Sequence, residues 1–157
     1  MTKRSARNKS PLANLQVLVA DQSPQMAGLI ASALKAIGVG AAVKVTDSSA
    51  AWLALGSKKF DAAILDFNLR PKGAAELTVG LRRSDLRNAL MPVIGLAASV
   101  TTEELRAAML AGVNKVAVKP VSADTLRARL LEVIEGSIFR EPQPLAVGVD
   151  ESNMFEI

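Results

Sequence analysis

The sequence predicts an α/β fold: a doubly wound, five-stranded parallel sheet with helices on both faces. Three observations carry this expectation. Short apolar runs recur five times between residues 15 and 120. Segments with helical apolar spacing separate them. The runs are apolar throughout rather than alternating, so both faces of each strand are covered, which is the pattern of parallel strands joined by right-handed helical crossovers.

The elements follow in order. Leu15-Gln16-Val17-Leu18-Val19-Ala20 reads as the first strand and ends at Asp21. Ser23-Pro24 supplies an N-cap followed by proline at the first helical position. Met26, Leu29, Ile30 and Leu34 then recur at helical spacing, and Gly38 and Gly40 stop the helix. Ala41 to Thr46 is a weaker second strand. Ser48 or Ser49 is the expected cap of a short helix through Trp52 and Leu55 to Gly56. Asp61-Ala62-Ala63-Ile64-Leu65-Asp66 is the third strand, and Asn68, Pro71 and Gly73 mark the loop after it. Residues 74–83 form a helix with Leu77 and Leu81 inward. Pro92-Val93-Ile94-Gly95-Leu96-Ala97 is the fourth strand. Thr101 and Glu104 have capping-box spacing at the start of the next helix, whose apolar face is Leu105, Met109 and Leu110 and which Gly112 ends. Lys115-Val116-Ala117-Val118-Lys119-Pro120 is the fifth strand. Ser122 caps a last helix carrying Leu126, Leu130, Leu131, Val133 and Ile134, stopped by Gly136.

A chain of 157 residues fits one domain, and with 50% hydrophobic but only 3% aromatic residues its core is aliphatic. There is no cysteine, histidine or tyrosine. That excludes disulfides, thiolate metal sites, Ser-His-Asp catalysis, the usual zinc sites and phosphate transfer on histidine. Carboxylates, Lys, Arg, hydroxyls and backbone groups must do the chemistry. The formal net charge of +4 is unevenly placed. Lys3, Arg4, Arg7 and Lys9 make a basic head, whereas Glu141, Asp150, Glu151 and Glu156 oppose Arg140 near the other end. Residues 1–13 and 137–157 are expected to be solvated, mostly disordered tails. The apolar Met154-Phe155-Glu156-Ile157 is what a docking end would use. No signal peptide and no stretch of ~20 apolar residues is visible, so a cytoplasmic protein without membrane contact is expected.

Ligand sites in open parallel sheets form at the C-terminal ends of the strands. Those ends carry Asp21, Asp66 and Lys119, three charges the apolar runs do not need. Two neighbouring carboxylates suit a hard cation such as Mg²⁺, which takes oxygen ligands and keeps several waters. A carboxylate is a possible phosphoryl acceptor, and a Lys holds a phosphoryl oxygen as a point charge. Asp61 and Asp124 fit turn and helix-start positions instead. Each charge alone has an ordinary reading as a turn or loop residue. Their joint placement at strand ends one, three and five is what selects them.

Over residues 14–136 the sequence resembles the response-regulator receiver family of two-component signalling. The resemblance rests on Val17-Leu18-Val19-Ala20-Asp21-Gln22-Ser23, Phe60-Asp61-Ala62-Ala63-Ile64-Leu65-Asp66, Ala111-Gly112-Val113 and Val116-Ala117-Val118-Lys119-Pro120-Val121. It implies a flavodoxin-like sheet of strand order 2-1-3-4-5 and a signalling protein rather than an enzyme. It implies that Asp66 accepts a phosphoryl group from a sensor histidine kinase or phosphotransfer protein. Asp21, Asp66 and the backbone carbonyl of Asn68 would hold Mg²⁺, with Gln22 as a further oxygen ligand, and Lys119 would contact the phosphoryl group. The fourth helix, fifth strand and fifth helix would meet a downstream protein.

The departures from the family pattern are specific. Gln22 stands where a second acid is usual, so Mg²⁺ binding is expected to be weak. Ala97 stands where a hydroxyl normally meets the phosphoryl group, and Val116 where an aromatic residue moves with it. Arg70-Pro71-Lys72-Gly73 spaces its Pro and Gly differently from the common loop. Ser99 would share the face of Ala97 if the fourth strand continued, and could then replace the hydroxyl. A phosphorylatable single-domain regulator is therefore expected, with a degenerate receiver that docks partners without phosphate as the alternative. A nucleotide-binding enzyme is disfavoured because Asp21-Gln22-Ser23-Pro24 holds no glycine-rich loop. Nucleic-acid binding is disfavoured too, since Arg82, Arg83 and Arg87 read as a solvated helix face.

Overall fold

The computed structural model describes residues 10–139. Five strands alternate with five helices: β1 (Gln16–Ala20), α1 (Pro24–Ala36), β2 (Ala41–Val45), α2 (Ser48–Ser57), β3 (Ala62–Asp66), α3 (Ala74–Arg83), β4 (Val93–Ala97), α4 (Thr102–Ala111), β5 (Lys115–Val118) and α5 (Ala123–Phe139). All strand pairs are parallel, in the order β2-β1-β3-β4-β5. This is the expected doubly wound, flavodoxin-like α/β fold.

The period-two alternation of each strand divides the core into two layers. Leu18, Ala63, Leu65, Val93 and Val116 face α2, α3 and α4 with Leu55, Leu77, Leu81 and Leu105. Val17, Val19, Ile64, Ile94, Leu96 and Ala117 face α1 and α5 with Ile30, Leu34, Leu126 and Leu130. β3 and β4 are buried along their whole length, whereas the edge strand β2 is partly exposed. Burial on both faces explains why the central strands read as unbroken apolar runs.

Several local expectations hold. The Ser23 hydroxyl accepts from the Met26 amide and Pro24 opens α1. Thr101 and Glu104 form the reciprocal capping box. Gly112 ends α4 with φ 105°, in the left-handed region that glycine adopts without penalty. The Ser122 hydroxyl accepts from the Thr125 amide at the head of α5.

Others need correction. α2 is capped by Asp47, whose carboxylate accepts from the Ala50 amide at 2.7 Å; Ser48 is buried inside the first turn and its hydroxyl accepts from the Lys72 amide. Leu29 and Leu110 point outward, and the smaller Ala27 and Ala108 take the inward positions where the helices approach the sheet. Gly136 does not stop the last helix, which runs to Phe139. The fold begins before residue 14: Leu12 is buried in the α1–α5 layer, and the Ser10 hydroxyl donates to the Ile37 carbonyl. The expectations for residues 1–9 and from 140 onward lie outside the described residues.

Arg82 is not part of a solvated face. Its guanidinium donates to the carbonyls of Ala89, Met91 and Gly112 and to Oδ1 of Asn114, at 2.6–3.1 Å. It ties the end of α3 to the loop before β4 and to the turn between α4 and β5. Arg83 and Arg87 are exposed. Among the described residues no helix is long and apolar enough to cross a membrane.

Candidate functional site

Parallel strands place their C-terminal ends at one rim of the sheet, and β1, β3 and β5 bring three charged residues there. Asp21 follows β1, where its amide extends the β1–β2 ladder by donating to the Val45 carbonyl. Asp66 is the last residue of β3. Lys119 follows β5 and its amide donates to the Ala97 carbonyl at 2.7 Å. The Lys119–Pro120 peptide is cis.

Lys119 Nζ lies 2.7 Å from Oδ2 of Asp21 and 3.4 Å from Oδ1 of Asp66. Both carboxylates are almost fully buried, with 1% and 2% exposure. Their remaining contacts are backbone amides. Asp21 Oδ1 accepts from Ser23 at 2.9 Å, Asp66 Oδ1 from Asn68 at 2.9 Å, and Asp66 Oδ2 from Gln22 at 3.3 Å. The turn role considered for Asp21 is thus real for one of its oxygens, while the other faces Lys119.

Two carboxylates against one ammonium leave one negative charge uncompensated at the rim. Asp21 Oδ2 is buried and has no hydrogen-bond donor beyond this ion pair. Excess buried negative charge with an all-oxygen donor set is what a hard divalent cation relieves. Among the described residues no three acids, histidines or cysteines cluster. A cation here would use Asp21, Asp66, the Asn68 carbonyl and water, a set that suits Mg²⁺ because Mg²⁺ keeps several waters and takes one or two carboxylates. Gln22 contributes its amide N–H to Asp66, while its side chain is exposed beside the rim.

A family model for the response regulator receiver domain matches residues 17–131. This chain belongs to the response regulator receiver family. The receiver is 27% identical over 122 residues to the chemotaxis protein CheY-3 of Vibrio cholerae serotype O1, covering 78% of this chain and 93% of that one. It superposes on the receiver domain of a Francisella response regulator with a TM-score of 0.71 and 25% identity, covering 79% and 99% of the two chains. It also shares its fold with the receiver domain of a sensor histidine kinase from Pseudomonas aeruginosa PAO1, a structure with magnesium coordinated in the active-site cleft (TM-score 0.69, 22% identity, 78% and 99% coverage). The receiver is therefore a CheY-like domain of two-component signalling.

The altered positions lie beside the rim. Ala97 is buried at the end of β4, and Val116 is buried on β5 opposite Gly95. Ser99 does not share the face of Ala97, because β4 ends at Ala97 and Ser99 sits exposed on a bend. The condition for its substituting as the hydroxyl is not met. Sequence reasoning missed Phe67, the residue after Asp66. Its amide donates to the Leu96 carbonyl at 2.7 Å and its ring packs on Gly95. The available signal was the strand alternation running one residue past Asp66 toward a glycine on β4.

Proposed function

We propose that this receiver accepts a phosphoryl group on Asp66 from a sensor histidine kinase or phosphotransfer protein and signals through protein contacts. The observation that carries the reading is the placement of Lys119 Nζ between the two buried carboxylates, at 2.7 and 3.4 Å. An oxygen of Asp66 attacks the phosphorus of the donor. The new O–P bond forms as the P–N bond to the donor imidazole breaks, and the imidazole leaves with the electron pair. The product is an acyl phosphate.

The chain's own groups each have a part. The amides of Gln22 and Asn68 orient the Asp66 carboxylate. Lys119 is within reach of a phosphoryl oxygen once a group is added to Asp66, and Asp21 holds the Lys119 ammonium in place before that. Asp21, Asp66 and the carbonyl of Asn68 would hold Mg²⁺. When bound, Mg²⁺ supplies charge neutralisation between carboxylate and phosphoryl oxygens. With Gln22 in place of a second acid, that binding is weak. The downstream partner is expected on α4, β5 and α5.

Acetyl phosphate with Mg²⁺ should add one phosphoryl group, read by intact mass, and Asp66→Asn should abolish the addition. Absence of uptake from both acetyl phosphate and a cognate kinase would defeat the proposal. A second reading, a docking module that works without phosphate, draws on the absence of a hydroxyl at Ala97 and of an aromatic ring at Val116. It fails if partner affinity changes strongly when Asp66 is phosphorylated.

A further inference from the structure

The layer of the sheet facing α2, α3 and α4 has an unusual distribution of side-chain volume near the rim. β4 presents Gly95 and, two residues on, Ala97, and β5 presents Val116 opposite Gly95. All three are small. The bulk comes from β3. Phe67 continues the alternation of Ala63 and Leu65 on this layer, and its backbone is fixed to β4 by the 2.7 Å bond to the Leu96 carbonyl.

The Phe67 ring occupies the space that a side chain at position 95 would need. A Cβ on Gly95 would fall 2.5 Å from Phe67 Cε1 and 3.2 Å from Cδ1, and 3.4 Å from Cγ1 of Val113. The ring thus lies against β4 and beside Val113. Val113 is in the turn between α4 and β5, and Arg82 grips the same turn through the Gly112 carbonyl and Asn114. A large residue from one strand filling the gap left by small ones on its neighbours is complementary packing, and such packing transmits displacement because the interior is close-packed.

We infer that Phe67 is the aromatic relay of this receiver. It joins the acceptor to the α4–β5 turn in place of the depleted pair Ala97 and Val116. The inference rests on the phosphorylation of Asp66 proposed above. Phe67 is bonded to Asp66 on one side and to Asn68 on the other, and both neighbours hold the metal and phosphoryl site. Any shift of the residue 66–68 backbone on phosphorylation moves the ring over Gly95, a surface without side-chain obstruction. The ring then presses on or releases Val113. The output is the position of the α4–β5 turn rather than a rotation on β5.

Amide hydrogen exchange at Val113 and Asn114 is the direct readout, because these amides donate to Ala108 and Val93 and report the turn itself rather than ring-current effects. Beryllofluoride with Mg²⁺ should change their exchange in the wild-type receiver. In Phe67→Leu, the amides of Asp66 and Asn68 should still respond while the change at Val113 and Asn114 is lost. Persistence of that change in Phe67→Leu, or its absence in the wild type despite a response at Asp66, overturns the relay. Gly95→Ala provides a test that needs no phosphoryl mimic. The added methyl displaces the ring and also reaches Val113 Cγ1 at 3.4 Å, so Val113 and Asn114 should exchange differently in the unliganded variant. The change should be largely lost when Gly95→Ala is combined with Phe67→Leu, which leaves no ring to displace. Exchange equal to wild type in Gly95→Ala, or persistence of the change in the combined variant, overturns the relay. A failure of beryllofluoride to engage Asp66 while Gly95→Ala alters the turn overturns the phosphorylation reading and with it the relay's proposed input.

Discussion

Replacing Lys119 by Met should destabilise the metal-free receiver by about 3 kcal/mol. The ammonium is 2.7 Å from Asp21 Oδ2. At an effective dielectric of about 20 that contact is an attraction of roughly 6 kcal/mol before desolvation is subtracted. Desolvating the ions takes back several kcal/mol, so the pair itself contributes little net stability. The variant is a different case: it leaves both carboxylates buried with no cation, and breaking a buried pair costs about 3–5 kcal/mol. The lower end applies because the Lys119 side chain is still 17% exposed and Asp21 Oδ1 keeps its bond from the Ser23 amide. For a domain of this size the loss corresponds to a fall in Tm of about 10 °C. Urea unfolding in EDTA, followed by the fluorescence of Trp52 and by circular dichroism, measures it. Mg²⁺ should stabilise the variant more than the wild type, since two uncompensated carboxylates then face the ion, and saturation at 100 times Kd recovers about 2.7 kcal/mol. A loss below about 1 kcal/mol in EDTA would refute the reasoning, because Asp21 and Asp66 would then be paid for by solvent rather than by Lys119.

Asp66→Asn should block phosphoryl uptake from acetyl phosphate, read by intact mass. Gln22→Asp restores a third charge at the rim and should tighten Mg²⁺ binding about tenfold, measured as an NMR titration of the Asp66 and Asn68 amides. Arg82→Lys should cost about 2 kcal/mol, because an ammonium cannot reproduce the planar fork that reaches three carbonyls and Asn114; equal stability of the two proteins would show the fork to be dispensable. Gly112→Ala places a Cβ at φ 105° and within 2.8 Å of Arg82 Nε, so a loss above about 1 kcal/mol is expected in urea unfolding.

The fold was legible because periodicity and capping agree. β3 up to Leu65 and the whole of β4 are apolar since both of their faces are buried, and Pro24, Thr101, Glu104 and Gly112 punctuate the helices where their backbone chemistry requires. The rim residues were legible because charges at the ends of Val17–Ala20, Ala62–Leu65 and Val116–Val118 stand out against their strands. What stayed hidden depends on long-range contact. Arg82 reads as a surface charge in a helix, and only the return of residues 89–91 and 112–114 beneath it supplies its acceptors. Asp47 and Ser48 compete for one cap, and the choice is made by Lys72, 24 residues away, which takes the Ser48 hydroxyl. Phe67 reads as a loop residue until Gly95 is set beside it.

The packing of Ser10 and Leu12 has a bearing on how this domain can be handled. Ser10 is held at Ile37, where α1 turns into β2, and α5 runs back from the rim to end at Phe139. Both attachment points thus lie near the N-terminal ends of the strands, at least one strand length, ~17 Å, from the carboxylates. The domain has a chemical pole and a tether pole. A dye, an immobilising tag or a second protein joined at Ser10 or Phe139 starts at the opposite end of the strands from Asp21, Asp66 and Lys119. A receiver immobilised through either of these points should accordingly keep its carboxylate rim open to solution.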